Sequence, residues 1–357
     1  MKTKIRKIFF NKKPKKLKVA IFIKYFFPSY GGPYFVIQET VKELKKENIK
    51  IEIFSCDSEF LKRKKLSINQ VKNFDICHFY GGWNFFYIKW YLIALFFRKK
   101  IIFHPFGIFE PWALNQKKIK KKIAWFFYQN KMLEKSDLVQ CVSLNEEKNI
   151  LKLNQNINTY VLPYGIAKKR IKKKISKKNI KKKILFLSRI HEKKGLENLI
   201  KVWNSINNSE WELDIVGPSD DFLFLKKLKK LARKKELKIN FMEPIYEKNK
   251  KDKLFDSYDL LILPTKNDPF GMVILESMAR GLPVLTNKNT PWSEIKDYDA
   301  GWYINSDINS LKNTLKKIFN LKKFQFTKKS INSTNLAKKY SWDIISKKYR
   351  LMYLSLI

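Results

Sequence analysis

Residues 261–287 read LILPTKNDPFGMVILESMARGLPVLTN, and their pattern is strand, loop, helix, strand. The apolar run that starts at Asp259 ends at Pro264, the segment from Gly271 to Ala279 is apolar on nearly every face, and PVLTN (283–287) is strand-like again. A unit of this kind belongs inside a parallel sheet covered by helices. One residue resists the pattern. Glu276 puts a carboxylate into the oily helix, where an ionised group is costly unless something accepts it. Arg280 stands at the i,i+4 spacing of a helical ion pair, which accounts for a charge on a helix. It leaves Asp268, Gly271 and the proline-bracketed loop between them unexplained.

The alternation of short β-type runs with helical runs extends in both directions. Upstream, strands are expected at 17–23, 50–54, 75–80, 100–104, 137–143 and 159–163, with helices at 34–47 and 117–135 among those between them. After the charged run KKRIKKKISKKNIKKK (168–183), too basic to be buried and read as a linker, the pattern starts afresh. Strands are expected at 184–188, 213–217, 239–242, 259–264 and 283–287. Leu196, Leu199, Ile200, Trp203 and Ile206 fall on one buried helical face, a basic helix spans about 222–236, and an amphipathic helix follows Trp342. The expected class is α/β, with two Rossmann-like domains facing across a cleft. The divisions are 1–167 with a basic arm at 1–16, the linker 168–183, a second domain 184–335, and a terminal helical segment 336–357.

The totals fit two domains. The chain has 357 residues, 45% of them apolar, more than one core usually organises. Its net charge is +43, and of 75 basic residues eight are Arg. A reader of bases or phosphates would use more Arg, so the charge reads as solvated surface with attraction to anionic lipid, and no specific nucleic acid is expected. Three widely spaced cysteines argue against a disulfide framework and for a reduced compartment. The N-terminal segment does not read as a signal peptide, and the oiliest window, 83–97, is shorter than the roughly 20 residues a membrane span needs. A soluble or peripheral protein is expected.

Open parallel sheets bind ligands at the carboxyl ends of their strands, and four loops there carry chemistry. Gly31 and Gly32 follow the first strand, where bare backbone can approach an anion, although a tight turn explains them equally and the G-x-G-x-x-G spacing is absent. In SRIHEKKGLENL (188–199), Arg189 and Lys194 flank a turn closed by Gly195 before a helix, as two cations meeting a diphosphate would. An exposed charge pair is the plain alternative. Asp268 and Glu276 form the third site, with the amides of Phe270, Gly271 and Met272 facing a ligand. A carboxylate accepting two ribose hydroxyls would explain Glu276. The fourth loop carries His104 and Glu110.

These motifs together resemble a known family. D-P-F-G-x-x-x-x-E-S-M-A-R-G-L-P-V is similar to the E-x7-E signature of retaining glycosyltransferases of family 4, which have the GT-B fold; SRIHEKKG resembles that family's G-R-L-x-x-x-K-G segment and LPYGI its P-N-G-I. FGIFEPWALNQKKIKKK and NTPWSEI resemble the branch that builds bacterial surface polysaccharides and O-antigen-type glycans. The resemblance runs from about residue 17 to 350. It implies transfer of a sugar from a UDP- or GDP-linked donor to a hydroxyl of a glycan or lipid-linked acceptor, with no obligatory metal or cofactor, at the cytoplasmic face of the membrane. It also implies that Arg189 and Lys194 bind the diphosphate, Glu276 the ribose, Asp268 with the amides of Phe270, Gly271 and Met272 the donor sugar, and that Gly31 and Gly32 close over the phosphates. The helix after Trp342 would cross back onto the first domain.

Three positions depart from the family. Asp268 stands where Glu is usual. Phe106 replaces the His of P-H-G, so either His104 substitutes or that role is absent. Tyr164 replaces the Asn of P-N-G. The competing expectations are a catalytically impaired nucleotide-binding relative and a basic nucleic-acid-binding protein.

Overall fold

The structure, a computed structural model, describes residues 17–28, 31–57, 67–172, 180–206, 210–233 and 238–357. The basic arm 1–16, the middle of the expected linker (173–179) and residues 234–237, where the sequence places the end of the basic helix, lie outside them; the helix itself is Phe222–Leu231. Two six-stranded sheets, parallel throughout, form the frame. The first contains β1 (Leu17–Ile23), β2 (Ile49–Phe54), β3 (Ile76–Tyr80), β4 (Lys100–His104), β5 (Leu138–Cys141) and β6 (Thr159–Val161), in the order β2-β1-β3-β4-β5-β6. The second contains β7 (Lys183–Leu187), β8 (Glu212–Val216), β9 (Lys238–Met242), β10 (Leu260–Leu263), β11 (Val284–Asn287) and β12 (Gly301–Ile304), in the order β12-β11-β10-β7-β8-β9.

Every strand read from the sequence is present within a residue or two. One was missed: β12, four residues (GWYI) that open on glycine and are only partly buried beyond it, so neither alternation nor an apolar run marks them. The central strands are mostly apolar because helices cover both faces. β3, β5, β10 and β11 are buried at every position. The helix Leu196–Trp203 buries the face its spacing predicts, and Ile206 beyond it is buried as well.

Helical structure differs from expectation in two places. The helix expected at 117–135 is three pieces: Lys118–Ala124, a wider π-turn over Trp125–Gln129 in which Asn130 N–H donates to the Trp125 carbonyl, and Asn130–Glu134. It starts from Lys117 in the left-handed region at φ 51°. The charged run read as too basic to bury has a buried member, since Arg170 ends a short turn at Lys168–Arg170 and points inward.

The terminal helix Trp342–Leu354 buries Trp342, Ile345, Tyr349, Met352 and Tyr353 among Leu17, Val19, Ile21 and their neighbours in the first sheet. A bridge between Ile166 and Ser341 lays the two chain crossings side by side. At this crossing the Trp342 indole fills the place of a side chain on Gly165, where an added Cβ would stand 2.6 Å from the ring. Among the described residues no helix is long and apolar enough to cross a membrane.

Candidate active site

In the second sheet β7 lies between β8 on one side and β10 on the other, so the chain leaves β7 and β10 in opposite directions and a crevice opens between their carboxyl ends. The two loops at that crevice are the ones carrying Arg189 with Lys194 and Asp268. They touch closely. A Cβ on Gly195, at φ 74°, would stand 2.0 Å from the Pro264 carbonyl oxygen, and only glycine permits the approach. The Lys193 carbonyl accepts the Lys266 amide at 2.7 Å and the Thr265 hydroxyl at 2.9 Å.

Across this junction Lys194 Nζ pairs with Asp268 Oδ2 at 2.6 Å, each side chain largely buried. Burial pushes the Asp268 carboxyl up, but Lys194, and then Lys193, overcome it and hold the group below its ordinary range. Arg189 points outward, 59% exposed, with Asp220 3.8 Å away. Lys193, which the sequence reading passed over, is drawn down to about 8 by burial and by the neighbouring Lys194. Its ammonium lies 5.2 Å from the centre of the Trp112 ring, which comes from the first sheet's side.

Asp268 Oδ1 accepts the Phe270 amide at 3.3 Å, and the Phe270 carbonyl accepts the Trp292 indole N–H. Phe270 therefore spends its amide inside the loop. Gly271, at φ 72°, starts the helix Met272–Ala279, and the amides of Gly271 and Met272 meet no acceptor among the described residues.

Glu276 does not pair with Arg280. That guanidinium goes to Asp256, at 3.1 and 2.5 Å, because the helix ends at Ala279 and Arg280 turns aside. Glu276 instead receives Arg170 Nη1 on Oε1 at 3.0 Å and Lys251 Nζ on Oε2. Asp252 occupies the other edge of the Arg170 fork at 2.6 Å. Burial opposes the Glu276 charge, and Lys251 and Arg170 outweigh it, so the carboxyl is held below its usual range. Each oxygen keeps a second lone pair for a further donor.

His104 does not take the role missing at Phe106. Fully buried, its Nδ1 donates to the Gln140 carbonyl at 2.9 Å, which leaves Nε2 to accept the Tyr164 hydroxyl at 2.5 Å. Burial draws it down to about 4, a neutral histidine with both nitrogens engaged. Phe106, at φ 57°, packs its ring 4.6 Å from His104 and 5.4 Å from Tyr80. The Tyr164 that replaces asparagine sets its ring edge 5.2 Å from Phe270 and so joins the two halves.

Between the sheets lies a cavity of about 400 Å³ whose wall includes Asp268, Asn267, Asn289, Trp112, Asn149 and Glu110. Glu110 is buried; its Oε2 accepts Asn267 Nδ2 at 2.8 Å and Asn149 Nδ2 at 3.0 Å, while Oε1 has no partner. Of the candidate residues read from the sequence, Asp268 and Glu110 line this cavity. Lys194 is joined to it through Asp268. Gly31 and Gly32 open the helix Gly32–Lys46 with no atom near where a Cβ would be, and that helix meets the second half through Glu39 and Lys248. Among the described residues no three His, Cys, Asp or Glu side chains are placed to hold a metal.

The match to a family model falls on this half of the chain and takes in the Arg189, Asp268 and Glu276 loops. Residues 167–333 match the model of the glycosyl transferases group 1 family. The chain is 29% identical, over 171 residues, to part of an uncharacterized glycosyltransferase of Methanocaldococcus jannaschii, covering 46% of this chain and 42% of that one. An uncharacterized 41.2 kDa protein in the cps region of Klebsiella pneumoniae is 24% identical over 253 residues, 65% of each chain. The matched part thus spans 42% and 65% of the lengths of these two relatives. Anabaena HepE, solved in complex with UDP-glucose, superposes with a TM-score of 0.74 at 16% identity, covering 95% of this chain and 100% of that one. The described residues have the GT-B fold.

Proposed function

We propose that the protein is a retaining glycosyltransferase of family 4 that moves a sugar from a nucleotide-diphosphate donor to a hydroxyl of a glycan or lipid-linked acceptor in bacterial surface-polysaccharide synthesis. The observation that carries this is the Lys194–Asp268 ion pair at the switch point of the second sheet, on the wall of the cavity between the sheets. In the reaction the acceptor hydroxyl oxygen bonds to the anomeric carbon as that carbon's bond to the diphosphate breaks; the electron pair leaves with the nucleotide diphosphate, whose freed oxygen takes the hydroxyl's proton. Arg189, Lys194 and Lys193 meet the charge that develops there, preorganised by the fold. Asp268 and the amides of Gly271 and Met272 hold the donor sugar. Glu276, kept ionised by Arg170 and Lys251, accepts the ribose hydroxyls, and Gly31 with Gly32 closes over the phosphates.

The cps-region relative supports the polysaccharide setting, and the UDP-glucose complex of HepE supports a UDP-linked donor, with GDP the other candidate. Location at the cytoplasmic face of the membrane follows from the basic surface, at about 1 kcal/mol per Lys near anionic lipid. A second reading, a nucleotide-binding subunit without turnover, draws on Phe106 and the sealed His104. Incubation with UDP-, GDP- and ADP-sugars, read as nucleotide diphosphate released, is expected to give turnover with one of them. Silence across all three would sink the proposal, and binding without release would favour the second reading.

A further inference from the structure

The helical stretch after Lys117 faces the wrong way for a protein in water. Lys118, Lys121, Lys122 and Trp125, spaced i, i+3, i+4 and i+7, line a cavity of about 460 Å³ together with Trp83, Phe109, Leu114 and Leu153. Ile119, Ile123, Phe126 and Phe127 point out, with Ile119 and Phe126 each 76% and Phe127 70% exposed. A helix on a soluble surface turns its apolar side in, whereas the helix Lys118–Ala124 buries no residue. Phe85, Leu92, Leu95 and Phe96, on the helix Phe85–Phe96 and in the same domain, are exposed as well.

The lysines lining the cavity are uncompensated. Lys121 is drawn down by burial and by Lys117, sits 5.9 Å from the Trp83 ring and donates to the Ala113 carbonyl. No carboxylate lines the cavity, and among the described residues none of Lys118, Lys121, Lys122 and Lys152 pairs with one. The half-buried Lys121 and the exposed Lys118, Lys122 and Lys152 around it, without counter-charge and set in aromatic and aliphatic walls, are complementary to an anion carried on an apolar body. Pro111, Asn149 and Lys152 belong to this cavity and to the one holding Asp268 and Glu110, so a ligand here adjoins the site of transfer.

We infer that this cavity takes the phosphate or diphosphate head of a membrane lipid that bears the acceptor group, while Ile119, Ile123, Phe126 and Phe127 enter the bilayer interface beside it. The outward apolar row selects a lipid in a membrane over a water-soluble phosphate. This rests on the proposed function and narrows its acceptor to a lipid phosphate.

The test is co-sedimentation of the full chain with phosphatidylcholine vesicles doped with a polyisoprenyl monophosphate, against vesicles holding the same mole fraction of phosphatidylglycerol. The isoprenyl phosphate vesicles should bind about tenfold more tightly, as a desolvated charge-assisted contact allows. Lys121→Gln with Lys122→Gln should erase that preference while keeping binding to phosphatidylglycerol. Phe126→Ser with Phe127→Ser should weaken binding to both alike. Equal binding of both vesicles by the wild type, competition by inorganic phosphate alone as strong as by the lipid, or a preference surviving in the double-lysine variant would each overturn the inference. UDP and GDP binding by the same preparations reports the fold and separates the two proposals. Loss of nucleotide binding with lipid preference intact tells against the donor reading, and the converse tells against this one.

Discussion

Glu276 shows what one residue can and cannot announce. Its presence in an apolar helix signals that something accepts its charge, but the acceptors, Arg170 and Lys251, lie 106 and 25 residues away, and nothing local names them. Arg170 was hidden inside a lysine run that reads as solvated. Removing it by Arg170→Met should cost about 3–5 kcal/mol in urea unfolding, because Glu276 and Asp252 are both left short of a partner. Glu276→Gln keeps Arg170 paired with Asp252, so stability should fall less while nucleotide affinity drops about tenfold, as for a lost charge-assisted hydrogen bond. Lys193 yields a prediction in pH. Its free-state value of about 8 means that an anionic diphosphate binds the protonated form, so nucleotide affinity should hold below that value and decline as pH rises through it. Lys193→Arg, which stays charged, should flatten the decline in a binding titration from pH 7 to about 9.5. A profile unchanged by the substitution would place Lys193 away from the ligand.

At the scale of elements, the strands were legible because sheets covered on both faces demand continuous apolar runs, and β12 was not, because a glycine-led edge strand needs no such run. The motif loops were legible for a related reason: Lys194, Gly195, Asp268 and Gly271 must sit at fixed places after β7 and β10. What the sequence did not reveal is how tightly those loops lock. Gly195→Ala would drive a methyl group against the Pro264 carbonyl at a left-handed φ, so it should destabilise by about 1–3 kcal/mol or more and raise the donor KM as Lys194 is displaced. Gly31→Ala is the contrast. It shares a positive φ of 78° but finds open space, so its thermal unfolding should shift far less, and any large loss of nucleotide affinity from it would mark direct approach of a phosphate to that turn. The π-turn at Trp125–Gln129 was equally invisible, since helical spacing tolerates one inserted residue without altering composition.

For the molecule as a whole, the cleft depends on a small number of contacts that cross it. Gly107 packs against Pro269, Glu110 accepts Asn267, Tyr164 meets Phe270, and Glu39 pairs with Lys248, while the helix Trp342–Leu354 straps the end of the chain to the first sheet. Most of these are polar or edge contacts rather than a shared core, which suits two bodies that can part and close, as the proposed function requires. Gly107 is where that balance can be moved. Its amide donates to Glu146, its φ is 74°, and a Cβ there would lie 2.6 Å from Pro269 Cγ, a ring atom that cannot swing aside. Gly107→Ala should therefore hold the halves apart: small-angle scattering should give a larger radius of gyration than the wild type, and the donor KM should rise. Binding of UDP or GDP, which needs mainly the second sheet, should change less than turnover, which needs both. If the radius of gyration and turnover both stayed at wild-type values, closure across Pro269 would not be what brings acceptor and donor together.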